Sequence, residues 1–298
     1  MRMMKKTNIL IILMVTVLAA ISCKSQYDAL LASQDVPEKY KAAFEYFEKG
    51  KYSKAASLFE SMKLIISGLP QEDTVNFYTA LSHYRFGDLV TAESAFSSFY
   101  SSFPRSPFVN EARFLYLECL YSQTLRYELD QLPTHKAMAA VNEFMVDFPD
   151  NEYSARCREM MDDFKNRLER KAFEAARIYY TTEDYKAAHY AFKDVLKENA
   201  ETQYREKVLY YVALSSYKLA LNSIVSKQKE RFMTFTGEYY NFIGEYPESQ
   251  YRKGIDILYR KAQAYLKKVE EGKLSRKETR QAKKETRHTD KSLNDKSI

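Results

Sequence analysis

The sequence predicts an all-α protein, a tandem superhelix of about five helical hairpins closed by a capping helix. Three observations lead there. Only 7 Gly and 7 Pro occur among 298 residues, too few for a turn-rich β fold. The same small and aromatic residues recur at fixed distances from a turn in three places. An aromatic-Pro punctuation recurs where second helices should stop. The 25 Tyr and 18 Phe supply large, semi-polar packing groups in a chain without Trp.

The first element is an export signal over residues 1–22. Arg2, Lys5 and Lys6 precede an apolar run from Ile9 to Ile21, broken only by Thr16. That run has the length of a signal-peptide core and is too short to span a bilayer. Ala19, Ala20, Ile21 and Ser22 lead directly to Cys23. This ending resembles the lipobox of bacterial lipoproteins, with Ala20 where Leu is usual. The resemblance implies lipid attachment at Cys23 and anchoring without a membrane-spanning helix. Residues 23–36 then read as a short lipidated tether.

The hairpins follow over residues 37–270. Gly50-Lys51-Tyr52 precedes Ala55, Ala56 and Phe59. Gly87-Asp88-Leu89 precedes Ala92 and Phe96, and Glu183-Asp184-Tyr185 precedes Ala188 and Phe192, at the same intervals. Seven residues before each turn stands Ala43, Ala80 or Ala176, and three after that stands Tyr46, His83 or Tyr179. The small residues let paired helices approach, and the rings fill space to the next hairpin. The pattern resembles the tetratricopeptide repeat, a helix–turn–helix of about 34 residues. It covers residues 36–69, 73–106 and 169–202 in register. Phe99 with Phe103-Pro104, Phe144 with Phe148-Pro149, and Phe242 with Tyr246-Pro247 mark second-helix ends. Ser106, Asn151 and Ser249, two residues after each Pro, suit the N-cap of the next helix. Tyr121 to Thr134 reads as an insertion, and a helix from Ser249 to Lys268 should cap the array.

Residues 271–298 form a basic tail without apolar periodicity, expected to be disordered. From Lys273 onward it holds nine Lys/Arg against four Asp/Glu. The chain's net charge of +6 resides in its ends: the signal supplies +3 and the tail +5, leaving −2 for the body. A nearly neutral body argues against nucleic-acid binding, which needs a basic face. Cys119 and Cys157 lie in apolar helical stretches, where free cysteine behaves as a small hydrophobe. His83, His135, His189 and His288 show no metal-ligand spacing, and His83 occupies a packing position of a repeat. No phosphate loop or nucleophile elbow appears, and adjacent carboxylates such as Asp162-Asp163 do not face one another on a helix. Neither an enzyme, a cofactor nor a metal is expected.

In tetratricopeptide arrays the first helices line one face. Between the core positions stand Tyr40, Phe44 and Phe47 in the first hairpin, and Phe77, Leu81 and Tyr84 in the second, with Arg85 beside them. Such an apolar stripe is a candidate groove for an extended or helical peptide. The same rings could instead pack against the N-terminal segment or the next hairpin. In the fourth repeat Phe173, Arg177 and Tyr180 hold these positions, a more polar lining.

Lipobox, short tether, five hairpins and aromatic-Pro-x-Ser punctuation together resemble the BamD-like family of outer-membrane assembly lipoproteins. The resemblance covers nearly all of the mature chain except the basic tail. It implies a lipid-anchored protein on the periplasmic face of the outer membrane. It also implies a BamA-like barrel partner, held through POTRA domains, and unfolded outer-membrane protein clients. Two other readings fit a repeat lipoprotein: an adaptor for cell-wall synthesis or envelope constriction, and a nutrient-binding outer-membrane lipoprotein. The first usually carries an N-terminal coiled coil, and no heptad run lies between Lys24 and Val36. The second usually carries Trp-rich ligand sites.

Overall fold

Some helix boundaries follow capping aspartates and prolines of the sequence. The computed structural model describes residues 26–272, and every regular element in them is a helix. Cys23, the expected export signal and residues 273–298 lie outside the described residues. The rest divides into two units, one of residues 26–125 and 130–161, the other of residues 126–129 and 162–272.

The first unit holds the hairpins α1 (Val36–Glu48) with α2 (Tyr52–Met62), α3 (Glu72–Phe86) with α4 (Leu89–Ser102), and α5 (Val109–Ser122) with α6 (Leu132–Asp147). Helix α7 (Ser154–Thr181) begins in this unit and ends in the second. There it pairs with α8 (Tyr185–Glu198), followed by α9 (Arg205–Leu221), α10 (Val225–Glu245) and the final α11 (Arg252–Glu270). Five hairpins and a closing helix are therefore present, as the sequence predicts.

The repeated residues hold equivalent places. Ala43 with Ala55, Ala80 with Ala92, and Ala176 with Ala188 are all buried, as are Phe59, Phe96 and Phe192. The turns of these three hairpins enter the left-handed region, at Gly50 (φ +70°), Gly87 (φ +92°) and Glu183 (φ +63°). Glycine meets that geometry without strain and glutamate does not. Asp88 and Asp184 then cap the second helices, accepting the N–H of Thr91 at 3.2 Å and of Ala187 at 3.0 Å. Asp35 caps α1 through the Glu38 N–H at 3.0 Å.

The aromatic-Pro motif ends three second helices in one conformation. Phe103, Phe148 and Tyr246 sit at φ −123°, −134° and −129°, each donating its N–H to the carbonyl of Phe99, Phe144 or Phe242. Proline disfavours a helical backbone at the preceding residue, and the paired rings pack 5.1–6.2 Å apart. The Ser and Asn after them are not N-caps. Ser106, Asn151 and Ser249 accept the N–H two residues on, from Phe108, Tyr153 and Tyr251, closing a local turn one step before the next helix.

Three further expectations are corrected. Residues 26–32, within the segment expected as a short tether, are helical. Tyr27, Leu30 and Leu31 pack on the first hairpin. The Tyr27 hydroxyl donates to the Lys54 carbonyl at 3.1 Å, and the buried Lys39 ammonium donates to the Leu31 carbonyl at 2.8 Å and Ser61 Oγ at 3.2 Å. Next, the first helix of the repeat placed at residues 169–202 is not a separate element but the second half of one helix that runs unbroken from Ser154 to Thr181. No Gly or Pro interrupts residues 154–181, and Arg167 pairs with Asp163 four residues back. Finally, Tyr179 is exposed rather than packed against the next hairpin.

In the second unit α9 is buried nearly all round, from Val208 to Ala220, among partners on α8, α10 and α11. Phe173 stacks on Tyr204 at 5.2 Å, and Phe192 stacks on Tyr211 at 5.1 Å. Burial lowers the Lys218 ammonium on this helix to a pKa of about 8, against the opposing pull of Glu183.

Candidate functional site

Helices α1 and α3 bring the predicted stripe together in the first unit, though not as an open groove. The second-helix end at Met62 is followed by a turn-rich connection before α3 begins at Glu72. This connection sets α3 so that Tyr78 lies level with Phe44 and Phe47, at ring distances of 4.6 and 5.2 Å. Tyr78 also meets Phe59, Phe77 and Phe108. It is the hub of the aromatic ladder, and the sequence reading passed over it. Its signal was weak: it stands one residue past Phe77, on a helix whose apolar residues surround most of its circumference.

Two stripe residues cannot meet a ligand. Phe77 is 2% exposed, stacked on Phe108 at 4.6 Å and packed against Phe96 and Phe99. Leu81 is 7% exposed within the same core. The next hairpin covers both, as the alternative reading had it. Phe173 and Tyr180 at the matching places of the fourth repeat are buried too, while Arg177 pairs with Glu174 at 2.6 Å.

Tyr40, Phe44, Phe47 and Tyr84 stay half-buried, and Arg85 is exposed. Tyr40 packs on Phe44 at 4.9 Å, and Phe47 on Tyr52 at 5.2 Å. Burial raises the pKa of the Tyr40 and Tyr84 hydroxyls, and the Glu118 carboxylate adds to the effect at Tyr84. Both phenols are therefore neutral donors at ordinary pH.

Beyond Tyr84 the face becomes charged. Arg156 grips Glu118 with two nitrogens, at 2.9 and 3.4 Å, and its guanidinium lies 4.9 Å from the Tyr121 ring centre. The hydrogen bond to Glu118 raises the Arg156 pKa further, so the guanidinium stays charged. Aromatic edges at one end and a fixed ion pair at the other suit a polypeptide with alternating apolar and polar groups better than a small compact ligand.

His83 is not a simple packing ring. It bridges two hairpins, with Nε2 at 2.9 Å from Glu60 and Nδ1 at 3.4 Å from Asp88. Cys119 and Cys157 are free and buried, and burial pushes the Cys119 thiol up to about 12. Among the described residues no cluster of His, Cys, Asp and Glu could hold a metal. No helix among them is long and apolar enough to cross a membrane.

Comparison with known proteins agrees with the lipoprotein reading. The chain is 22% identical over 206 residues to the outer membrane protein assembly factor BamD of Caulobacter vibrioides, covering 69% of this chain and 66% of that relative, just under two thirds of its length. Among solved structures, the TPR2AB domain of yeast Sti1 in its complex with pHSP90 aligns with 76% of this chain and 98% of its own, at 11% identity and a TM-score of 0.37. A thermophilic TPR protein of Thermus thermophilus, TTC0263, aligns with 77% of this chain and 99% of its own, at 12% identity and a TM-score of 0.30. The sequence profile described as YfiO, outer membrane lipoprotein, matches residues 33–232, well over half of the chain. The chain belongs to the YfiO family of outer membrane lipoproteins.

Proposed function

We propose that this protein is a lipid-anchored scaffold of the machinery that assembles β-barrel proteins in the outer membrane. It is held at the periplasmic face through Cys23, binds a BamA-like barrel subunit through POTRA domains, and receives unfolded outer-membrane protein clients. Its role is binding, not catalysis. The family match over residues 33–232 is the observation that carries this reading. The half-buried rings Tyr40, Phe44, Phe47 and Tyr84 with Arg85, running toward the Glu118–Arg156 pair, supply a client face of suitable chemistry. Phe77 and Leu81 support it from beneath.

The test is a mild-detergent purification of the tagged full-length protein from native membranes. A stoichiometric barrel protein with POTRA domains is expected to co-purify. Cell-wall enzymes or a nutrient transporter in its place would overturn the proposal. For the client face, Phe44→Ser with Arg85→Glu should weaken crosslinking to barrel-derived peptides at unchanged helix content. Unchanged crosslinking would remove this face from the account.

A further inference from the structure

The hairpin turns of the first unit share one end and carry apolar side chains that nothing in the unit covers. Tyr40 near the start of α1 interacts with Asp73 near the start of α3, and Phe47 near the end of α1 packs on Tyr78 further along α3, so these two helices run the same way and the Gly50 and Gly87 turns fall together. Gln123 and Lys136 both donate to the Glu93 carboxylate near the start of α4, at 2.7 and 2.6 Å. The α5–α6 connection therefore belongs to the same end. Phe86, Val90 and Leu132 project there, 60%, 69% and 71% exposed. Lys49, Lys51 and Arg85 are exposed around them.

The N-terminal segment emerges at this end. Tyr27 packs edge-on against Tyr46, in the last turn of α1, at 5.5 Å. The Lys54 ammonium, in the first turn of α2, lies 4.8 Å from the Tyr27 ring centre. Lys39 fixes the other end of the segment through Leu31. Gln26, the first described residue, is three residues after Cys23, a reach of at most about 11 Å.

We propose that this end of the first unit rests on a phospholipid surface. Phe86, Val90 and Leu132 enter the boundary between headgroups and acyl chains, and Lys49, Lys51 and Arg85 lie among the phosphates. The inference builds on the reading that Cys23 is acylated, because acyl chains starting within that reach bring the bilayer to this end. Apolar side chains beside long cationic ones suit an interfacial position, where stems bury and charges reach out to water. A second attachment of this kind would also orient the body, which a single lipid anchor does not. The opposite end exposes Leu64 and Val146 as well. They stand about 20 Å away, a helix length from the exit of the N-terminal segment, and are not expected to reach lipid.

The test uses the full-length protein, reconstituted through its own anchor into vesicles of phosphatidylethanolamine and phosphatidylglycerol. Single cysteines at Val90→Cys, Leu132→Cys, Leu64→Cys and Val146→Cys carry a nitrobenzoxadiazole fluorophore, and the buried Cys119 and Cys157 stay unlabelled in the folded protein. Blue-shifted emission, quenched severalfold by nitroxide lipids, is expected at 90 and 132 and not at 64 and 146. Water-like emission at 90 and 132 would overturn the proposal. So would a blue shift without nitroxide quenching, which would mean cover by protein, or equal quenching at all four sites. Mass spectrometry of the Cys23 peptide from the same sample separates the two readings. An acylated peptide with unquenched probes removes only the surface contact, whereas an unacylated peptide removes the anchor and the contact argued from it.

Discussion

Glu183 occupies a position that two other hairpins give to glycine, and replacing it isolates a backbone term. Its φ of +63° compares with +70° at Gly50 and +92° at Gly87. A side chain in the left-handed region costs about 1–2 kcal/mol. Glycine relieves that strain but returns about 0.5–1 kcal/mol through the greater freedom of its unfolded chain. Glu183 also attracts the Lys218 ammonium, a contribution of about 0.2–1 kcal/mol at an exposed carboxylate. Glu183→Gly should therefore be close to neutral, within about 0.5 kcal/mol of wild type. Glu183→Ala loses the same charge and keeps the strain. The difference between the two variants removes the electrostatic part and leaves about 1 kcal/mol of backbone energy, or roughly 2–4 °C in Tm for a domain of this size. Thermal unfolding followed by circular dichroism at one scan rate measures it. As a cross-check, a Cβ at Gly87 would meet nothing within 4 Å, so Gly87→Ala should lose a similar amount through the backbone alone. A Glu183→Ala protein melting at or above Glu183→Gly would refute the reasoning.

Three more outcomes follow from the same structure. Ala176→Phe places a ring where α7 meets the buried Ala188 and should destabilise by about 1–3 kcal/mol through overpacking, so an unchanged melting curve would contradict the repeat register. Lys218 is charged in both folded and unfolded protein below a pKa of about 8, and its burial penalty is then fully present. As pH rises from there toward the ordinary lysine pKa the folded state releases its proton first, so stability should rise; Lys218→Met should remove this rise and stabilise at pH 7 by about 1–3 kcal/mol, as urea titrations across that range would show. Cys119, with its thiol pushed up to about 12, and the buried Cys157 should resist maleimide in the native protein and react in urea; rapid native labelling would mean the first unit opens readily.

Much of the fold was legible because hairpins repeat their own solution. An alanine seven residues before a turn and another five after it specify a close helix contact, and these pairs are buried wherever the pattern occurs. The aromatic-Pro signal was equally direct, because proline acts on the backbone of its neighbour and depends little on the rest of the protein. Local periodicity could not tell how far each hairpin slides over the last. That offset places Tyr78 among the α1 rings and hides Phe77 and Leu81 under the third hairpin. A helical period names a face; it does not name what covers the face. Residues 26–32 were missed for a related reason, since they are held by a buried lysine and a tyrosine hydroxyl, contacts with no spacing rule in the sequence.

The docking of residues 26–32 also sets an order of events in the life of the chain. On the proposed reading of Cys23, signal cleavage and acylation would need an enzyme to reach the chain on both sides of that cysteine. Once Tyr27 is seated on Tyr46 and Lys39 holds the Leu31 carbonyl, only residues 24 and 25 separate Cys23 from a folded surface. Such maturation would have to be complete before the first hairpin closes on residues 26–32, or the hairpin would have to release them again. Folding speed of α1 and α2 would then compete directly with the proposed lipid transfer. A variant that docks this segment faster would accumulate as an uncleaved precursor, even though its finished form would be the more stable protein.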